Sequence, residues 1–389
     1  MDVITAYLEL CLRLGRHIDG LVDAYYGPAE ISQRIDAEEL REPSSLVGDA
    51  GALLAALDSE ELAEPRRRWL RSQLVGLETV ARRLDGQEVA YEDEVERCYG
   101  VRPKWVDETV FEAAHRELDE ALPGSAPLTE RYQAWREGGG LQGDELATVY
   151  EALIADFRSR TEALVGLPEG EDIEVDYVTD EPWAAFNYYL GGLRSRIAVN
   201  TDVAMTPAFV VELAAHEGYP GHHTEHAWKE QLRVREAGEL EESAQMIGTP
   251  AALIAEGIAG LATEMLLGDE EQEVTAAHFA GTSVAYDPDV SRAVQKVRSP
   301  LERVSGNTAL LLHTRGVSTE EATEYQMRWA LTSRRRAEQG VRFMTDPVWR
   351  SYVTTYTRGY DLCHDFVDGD VERFKRLLTE QLTPADLTA

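Results

Sequence analysis

Four of the nine histidines fall in one stretch, residues 210–230, which reads VVELAAHEGYPGHHTEHAWKE: His216, His222, His223 and His226. Glu217 follows the first of them directly. Imidazole is the commonest metal ligand in proteins. Two imidazoles with an adjacent carboxylate are what a hydrolytic zinc site requires. The usual helix of this kind carries His-Glu-x-x-His, with both histidines on one face one turn apart. Here position i+4 from His216 is Pro220, and the next histidines stand at i+6 and i+7. In an unbroken helix i+7 lies about 10 Å along the axis, too far for one ion. Pro220 interrupts the helical hydrogen bonding, and Gly221 tolerates unusual dihedrals. The spacing therefore predicts a bulge that returns one of the paired histidines to the place of the missing i+4 ligand. A two-residue bulge selects His222 and a three-residue bulge selects His223. We favour His223, because a bulge that also uses Gly221 can reset the turn; the other imidazole then supports the site from outside.

A second stretch, Thr249-Pro250 followed by AALIAEGIAGLATEMLLG, supplies a carboxylate in apolar surroundings, Glu256. Burying a charge there costs several kcal/mol unless a partner offsets it, and a zinc ion is such a partner. Gly257, Ala259, Gly260 and Ala262 carry little side chain. Glycine weakens a helix by about 0.8–1 kcal/mol per residue, so its use here predicts close approach of another helix. His216, Glu256 and one of His222 or His223 make a His2Glu set, the ligand pattern of gluzincins.

These residues need elements to position them. Thr206-Pro207 and Thr249-Pro250 read as helix starts, with Thr at the N-cap and Pro at the first helical position. Glu212, one turn before His216, is placed to orient its imidazole or to face solvent. Before the histidine helix the periodicity switches to two over Asp172–Val178. The runs Phe186–Leu190 and Arg194–Asn200 flank Gly191-Gly192, a hairpin signal. In that position an edge strand can pair with an extended substrate backbone. The first 165 residues read instead as an up-and-down helical array, with helices at 3–20, 44–57, 62–85, 89–98, 106–122 and 143–165. Turns such as Leu122-Pro123-Gly124-Ser125 and Gly138-Gly139-Gly140 separate the last of these. Tyr25 and Tyr26 close the first unit, more as packing than as cleft lining. The single Glu-x-x-His pair, Glu112 with His115, falls short of the two pairs and two further glutamates of a di-iron bundle and is read as surface decoration. The division suggested is a helical region over 1–168 and a metal-binding catalytic region over 169–389, in one continuous compact unit.

A formal charge of −33 repels phosphate backbones and anionic lipid, which argues against nucleic-acid and membrane partners. Three distant cysteines, Cys11, Cys98 and Cys363, offer neither a disulfide framework nor a CxxC metal knuckle. The N-terminus lacks a signal-peptide pattern, and no run reaches the ~20 apolar residues of a membrane span. The expected location is cytoplasmic.

HEGYPGHH, followed some forty residues on by AEGIAGLATE, resembles the bacterial family called domain of unknown function 885. That family carries His-Glu-x-x-Pro-Gly-His-His and then Glu-Gly-Trp-Ala, and is similar to gluzincin metallopeptidases such as carboxypeptidase Taq. The run His313-Thr314-Arg315-Gly316-Val317-Ser318 resembles the family's His-x-x-Gly-Trp-Ser, and Thr355-Tyr356-Thr357-Arg358-Gly359 its Ser-Tyr-Lys-x-Gly. The resemblance spans about residues 180 to 360. Ile258 replaces the family's Trp, Thr263 a following acid, and Ala309 an Asp before His313.

Together these readings predict a mainly α, multi-helix zincin-like fold with a small antiparallel β-sheet beside the active-site helix. The function expected is a zinc-dependent peptidase or amidase acting on short peptides. Glu217 is the candidate general base. Tyr356 and His313, in the runs that resemble family motifs, are the candidate oxyanion donors. The alternatives are a metal-binding but inactive relative, a di-iron oxidase and a non-catalytic acidic scaffold.

Overall fold

A computed structural model of the chain describes residues 2–388 except 138, 182 and 348. The Gly138 part of the predicted glycine turn therefore lies outside the described residues. The chain is mainly α. Its first part runs α1 Val3–Gly15, β1 Val22–Tyr25, α2 Ala29–Ala37, α3 Pro43–Ala56, α4 Glu64–Leu84, α5 Tyr91–Tyr99, α6 Glu108–Ala121, α7 Leu128–Glu137 and α8 Gly143–Leu164. Three strands follow, β2 Asp172–Val178, β3 Ala185–Gly191 and β4 Arg194–Asn200, then α9 Pro207–Glu217 and α10 His222–Lys229. The remainder is β5 Ala244–Met246, α11 Pro250–Leu267, α12 Glu271–Phe279, α13 Pro288–His313, α14 Thr319–Trp329, α15 Arg334–Thr345, a π-helical turn Thr355–Gly359, α16 Tyr360–Val367 and α17 Val371–Thr379.

The helix boundaries follow the apolar periodicity. α4 is representative: Leu70, Leu74, Leu77 and Ala81 recur three or four residues apart and are all buried. They join a core that also takes Leu8, Cys11 and Leu14 of α1, Leu253 and Ile258 of α11, and Phe374 and Leu377 of α17. The N-terminal helices and the helix bearing Glu256 thus share one apolar cluster. A second cluster joins Tyr150, Leu153 and Phe157 of α8 to Ile197 and Val199 of β4 and to Val210, Val211 and Ala214 of α9. It fixes the histidine helix against the sheet.

The sheet departs from the sequence reading in two ways. Its order is β2-β4-β3, with β3 antiparallel and β2 parallel to β4, so it is mixed rather than antiparallel. Gly191 and Gly192 take φ of 72° and 70°, and these left-handed values make the tight β3–β4 turn. β2 pairs on the far side of β4; the short stretch between Val178 and Ala185 makes it run antiparallel to β3, and therefore parallel to β4. The strand directly before the histidine helix is therefore central, with both edges already paired. Of the two edge strands, β3 is the one that packs toward α9 and α10, and it also meets β1.

A second, two-stranded sheet was not predicted. β1 pairs antiparallel with β5, tying the start of the chain to the approach to α11. The four-residue β1 is too short to show a period. Tyr25 and Tyr26 pack as expected: their hydroxyls donate to the carbonyls of Pro28 (3.0 Å) and Glu242 (2.8 Å). His115 is not surface decoration, since its Nε2 meets the carbonyl of Trp329 at 2.9 Å. The stretch Pro250–Phe279 is long and apolar enough to cross a membrane, where the sequence reading found no such span; half of its apolar window is buried. As folded, α11 packs against α4, α5, α9, α16 and the π-helical turn, which makes it a core helix.

Candidate metal centre

The histidine helix does not bulge; it ends and restarts. α9 stops at Glu217, residues 218–221 form a turn containing a cis Tyr219-Pro220 bond, and α10 begins at His222. Gly218 N donates to Ala214 O (3.1 Å) and Gly221 N to Ala215 O (2.9 Å), which folds the turn back onto the end of α9. A Cβ at Gly221 would lie 2.0 Å from His216 O and 2.4 Å from Ala215 O. Only glycine permits this approach.

The approach sets the imidazoles of His216 and His222 edge to face, with ring centroids 4.8 Å apart. Glu256 enters from the middle of α11. Its Oε2 lies 3.7 Å from His216 Nε2 and its Oε1 3.9 Å from His222 Nε2. One ligand atom from each of the three lies within 4.8 Å of the others, the one such grouping among the described residues. Nearest-neighbour ligands of a tetrahedral zinc sit about 3.3 Å apart at bonds of about 2.05 Å, so the three atoms would close in on a bound ion. Glu256 Oε2 is buried without a hydrogen-bond partner. Burial pushes His216 down to about 4 and His222 further below its ordinary value, so both rings are neutral and keep a lone pair. Burial also pushes Glu256 up to about 7. Two neutral imidazoles and a buried carboxylate with one unpartnered oxygen fit a divalent cation.

His223, which the bulge argument favoured, points elsewhere. It is fully buried, with Nδ1 2.8 Å from Ser195 Oγ and Nε2 2.8 Å from Glu171 Oε2. The same Glu171 oxygen accepts from Tyr219 (2.5 Å), and its other oxygen pairs with Arg158 (2.6 Å). Nε2–H donates to the carboxylate, which leaves Nδ1 to accept from the serine. Neither nitrogen remains for a metal. This network instead ties the 218–221 turn to β4 and to the segment before β2. The physical reason is the broken helix: residue counting at 3.6 per turn does not carry across a restart.

Glu217, the last residue of α9, is buried, and its carboxylate is pushed up to about 8 by burial, then by the charges of Glu256 and Asp23. Its backbone carbonyl accepts a hydrogen bond from Asn187 Nδ2 of β3 (2.5 Å), which fixes the end of the helix. Glu212 neither orients His216 nor faces solvent alone, but pairs with Arg298.

The close helix approach read from the small residues of α11 is present, and its partner is the π-helical turn. A Cβ at Gly257 would lie 2.4 Å from Gly359 O, and one at Gly359 2.3 Å from Leu253 O. This contact brings two tyrosines to the site. Tyr352 donates to Glu256 Oε1 (2.7 Å) and so orients the carboxylate. Tyr356 packs edge-on against Tyr352 at 5.4 Å. Tyr356 is 47% exposed, yet its phenol is held above its ordinary value by lost hydration, then by Glu256 and Glu217. The phenol is neutral and feels the charge of both carboxylates.

The structure does not bring His313 to this cluster. Its Nε2 meets the carbonyl of Met344 at 2.6 Å and its ring stacks on Tyr91 at 4.8 Å. The charges that act on it are Arg350, Glu94 and Arg83. Sequence reasoning missed Tyr352, which stands four residues before Tyr356 and so on the same helical face. It also missed Asp23, whose short strand gave no signal.

No protein-family model matches the chain, and no curated protein matches its sequence. Among solved structures, the chain is similar to a "putative lipoprotein" from Colwellia psychrerythraea, at TM-score 0.53 and 15% identity, over 88% of this chain and 65% of that one. This chain thus spans about two thirds of that protein, and at this identity the match shows the fold alone. A lipoprotein of unknown function from Shewanella oneidensis, also described as "putative", aligns at TM-score 0.48 and 12% identity over 90% and 76% of the two chains. Trypanosoma cruzi metallocarboxypeptidase 1 aligns at TM-score 0.48 and 13% identity over 100% and 90%.

Proposed function

We propose that this chain is a zinc-dependent hydrolase that cleaves amide bonds of short peptides, of the gluzincin type its motifs resemble. The observation that carries the reading is the convergence of His216, His222 and an unpartnered Glu256 oxygen beside the carboxylate of Glu217. His216, His222 and Glu256 would hold the zinc, which would supply Lewis acidity and activate water.

The chain's own groups do the rest. Glu217 accepts a proton at its carboxylate and returns it to the leaving amine. Burial and Glu256 raise the Glu217 carboxylate in the metal-free site, and a cation among the three ligands opposes that shift, because a nearby positive charge favours the ionised form. Tyr356 donates to the oxygen on which negative charge develops, and its neutrality suits that role. β3, the edge strand beside α9, is the strand this reading assigns to align an extended backbone.

The test is digestion of a mixed peptide library by purified protein, with and without prior chelation, followed by mass spectrometry. The expected result is cleavage that chelation abolishes and added zinc restores. Cleavage that survives a demonstrated loss of metal contradicts the reading, as does no cleavage by zinc-loaded protein.

A further inference from the structure

Asp23 is an acidic residue that neither the ligand set nor the proton transfer uses. In the β1–β5 ladder Val22 pairs with Met246 and Ala24 with Gln245, so Asp23 is the extra residue of a β-bulge. Bulges re-aim a side chain and recur beside active sites. This one is held from both ends. Before it, Ile247 N donates to Leu21 O (2.9 Å); after it, Tyr26 N donates to Ser243 O (2.9 Å). Tyr26 also packs its ring on Tyr189 of β3, with centroids 5.0 Å apart.

The side chain is half-buried and makes no hydrogen bond or ion pair with a described residue. β1, which carries it, packs against β3, and β3 in turn holds the end of α9 through Asn187 on Glu217 O; from there its charge acts on Glu217, Glu256, Tyr352 and Tyr356. A carboxylate withdrawn from water costs free energy unless something pairs with it. Asp23 has none of the chain's many arginines as a partner, although carboxylates elsewhere in the fold take one readily: Arg66 on Glu241, Arg158 on Glu171, Arg350 on Glu94. It is also outside the set of three converging ligand atoms. An unpaired acid set on a bulge near a hydrolytic centre supplies a counter-charge for something that arrives there.

We infer that Asp23 is a specificity residue that binds an ammonium group of the substrate, so that the preferred substrates are peptides carrying a primary amine close to the scissile bond. This rests on the hydrolase reading and narrows it. The amine is the free amino terminus of a short peptide or a lysine side chain; the same carboxylate serves either, and the experiment separates them.

Zinc-loaded Glu217→Gln protein, in which turnover is suppressed, is titrated calorimetrically with three C-amidated tetrapeptides. The first is tetra-alanine with a free amino terminus, the second its N-acetyl form, and the third N-acetyl-Ala-Lys-Ala-Ala. One of the two amine-bearing probes is expected to bind about 10- to 100-fold tighter than the capped alanine peptide, the size of one charge-assisted hydrogen bond. Adding Asp23→Asn is expected to bring the probes to within about twofold of one another, and adding Asp23→Glu to restore part of the preference. Equal binding of all three probes, a preference that survives Asp23→Asn, or no binding of any probe overturns the inference. Zinc content is measured on the same samples. Full zinc without amine preference removes this inference and leaves the hydrolase reading standing; no zinc in the parent protein removes both.

Discussion

Replacing His222 by Ala abolishes stoichiometric zinc, whereas replacing His223 by Ala leaves zinc in place and lowers the melting temperature. The two residues are adjacent in sequence and opposite in role. His222 faces His216 and Glu256, and without it two ligands remain where a zinc site of this kind needs three. His223 has both nitrogens engaged by Ser195 and Glu171 inside the protein. Truncating it leaves a buried hydroxyl and a buried carboxylate short of a partner, at about 1–3 kcal/mol for each group. His223→Gln, which keeps a polar side chain, is the milder companion and should also keep zinc. Metal content by plasma mass spectrometry and a thermal melt on the same preparations check the pair. Zinc retained by His222→Ala and lost from His223→Gln would reverse the assignment.

Glu217→Gln should keep its zinc and lose about 10²–10⁴-fold in kcat, the usual contribution of a positioned general base. Glutamine preserves the shape and cannot accept the proton. Glu217 lies beside a metal ligand without belonging to the converging set, so metal content and rate should separate cleanly. An unchanged kcat would take the base role away from Glu217. A parallel loss of zinc would show that Glu217 acts on the metal site itself.

Much of this architecture is legible in the chain, for identifiable reasons. Helices such as α4 and α8 show their apolar stripe over six turns or so, long enough for the period to stand out. The β3–β4 hairpin announces itself through Gly191-Gly192, because two consecutive left-handed residues are what a two-residue turn requires. Histidines clustered around a Pro-Gly break, with Glu256 in an apolar helix, point to the metal centre before any coordinates are seen. What the chain hides is relative placement across interruptions. Between His222 and His223 the choice depends on how residues 218–221 fold back on α9. That path is set by backbone hydrogen bonds to Ala214 and Ala215, not by a helical count. The reading of His313 as a donor followed a resembling motif, whereas its partners Tyr91 and Met344 come from other helices. β1 is too short for a period, so Asp23 emerges only once β5 is seen beside it. The parallel pairing of β2 is likewise a matter of which side of β4 the chain reaches.

The most direct measurement of the central claim is X-ray absorption at the zinc edge on stoichiometrically loaded wild-type protein, with Glu256→Gln as the companion sample. The account predicts one zinc per chain, with two imidazole nitrogens at about 2.0–2.1 Å, light oxygen scatterers completing the shell and no sulfur at about 2.3 Å. It also predicts that Glu256→Gln fails to hold stoichiometric metal. A sulfur shell, a shell without two imidazoles, or full occupancy in Glu256→Gln would contradict a metal centre built from His216, His222 and Glu256.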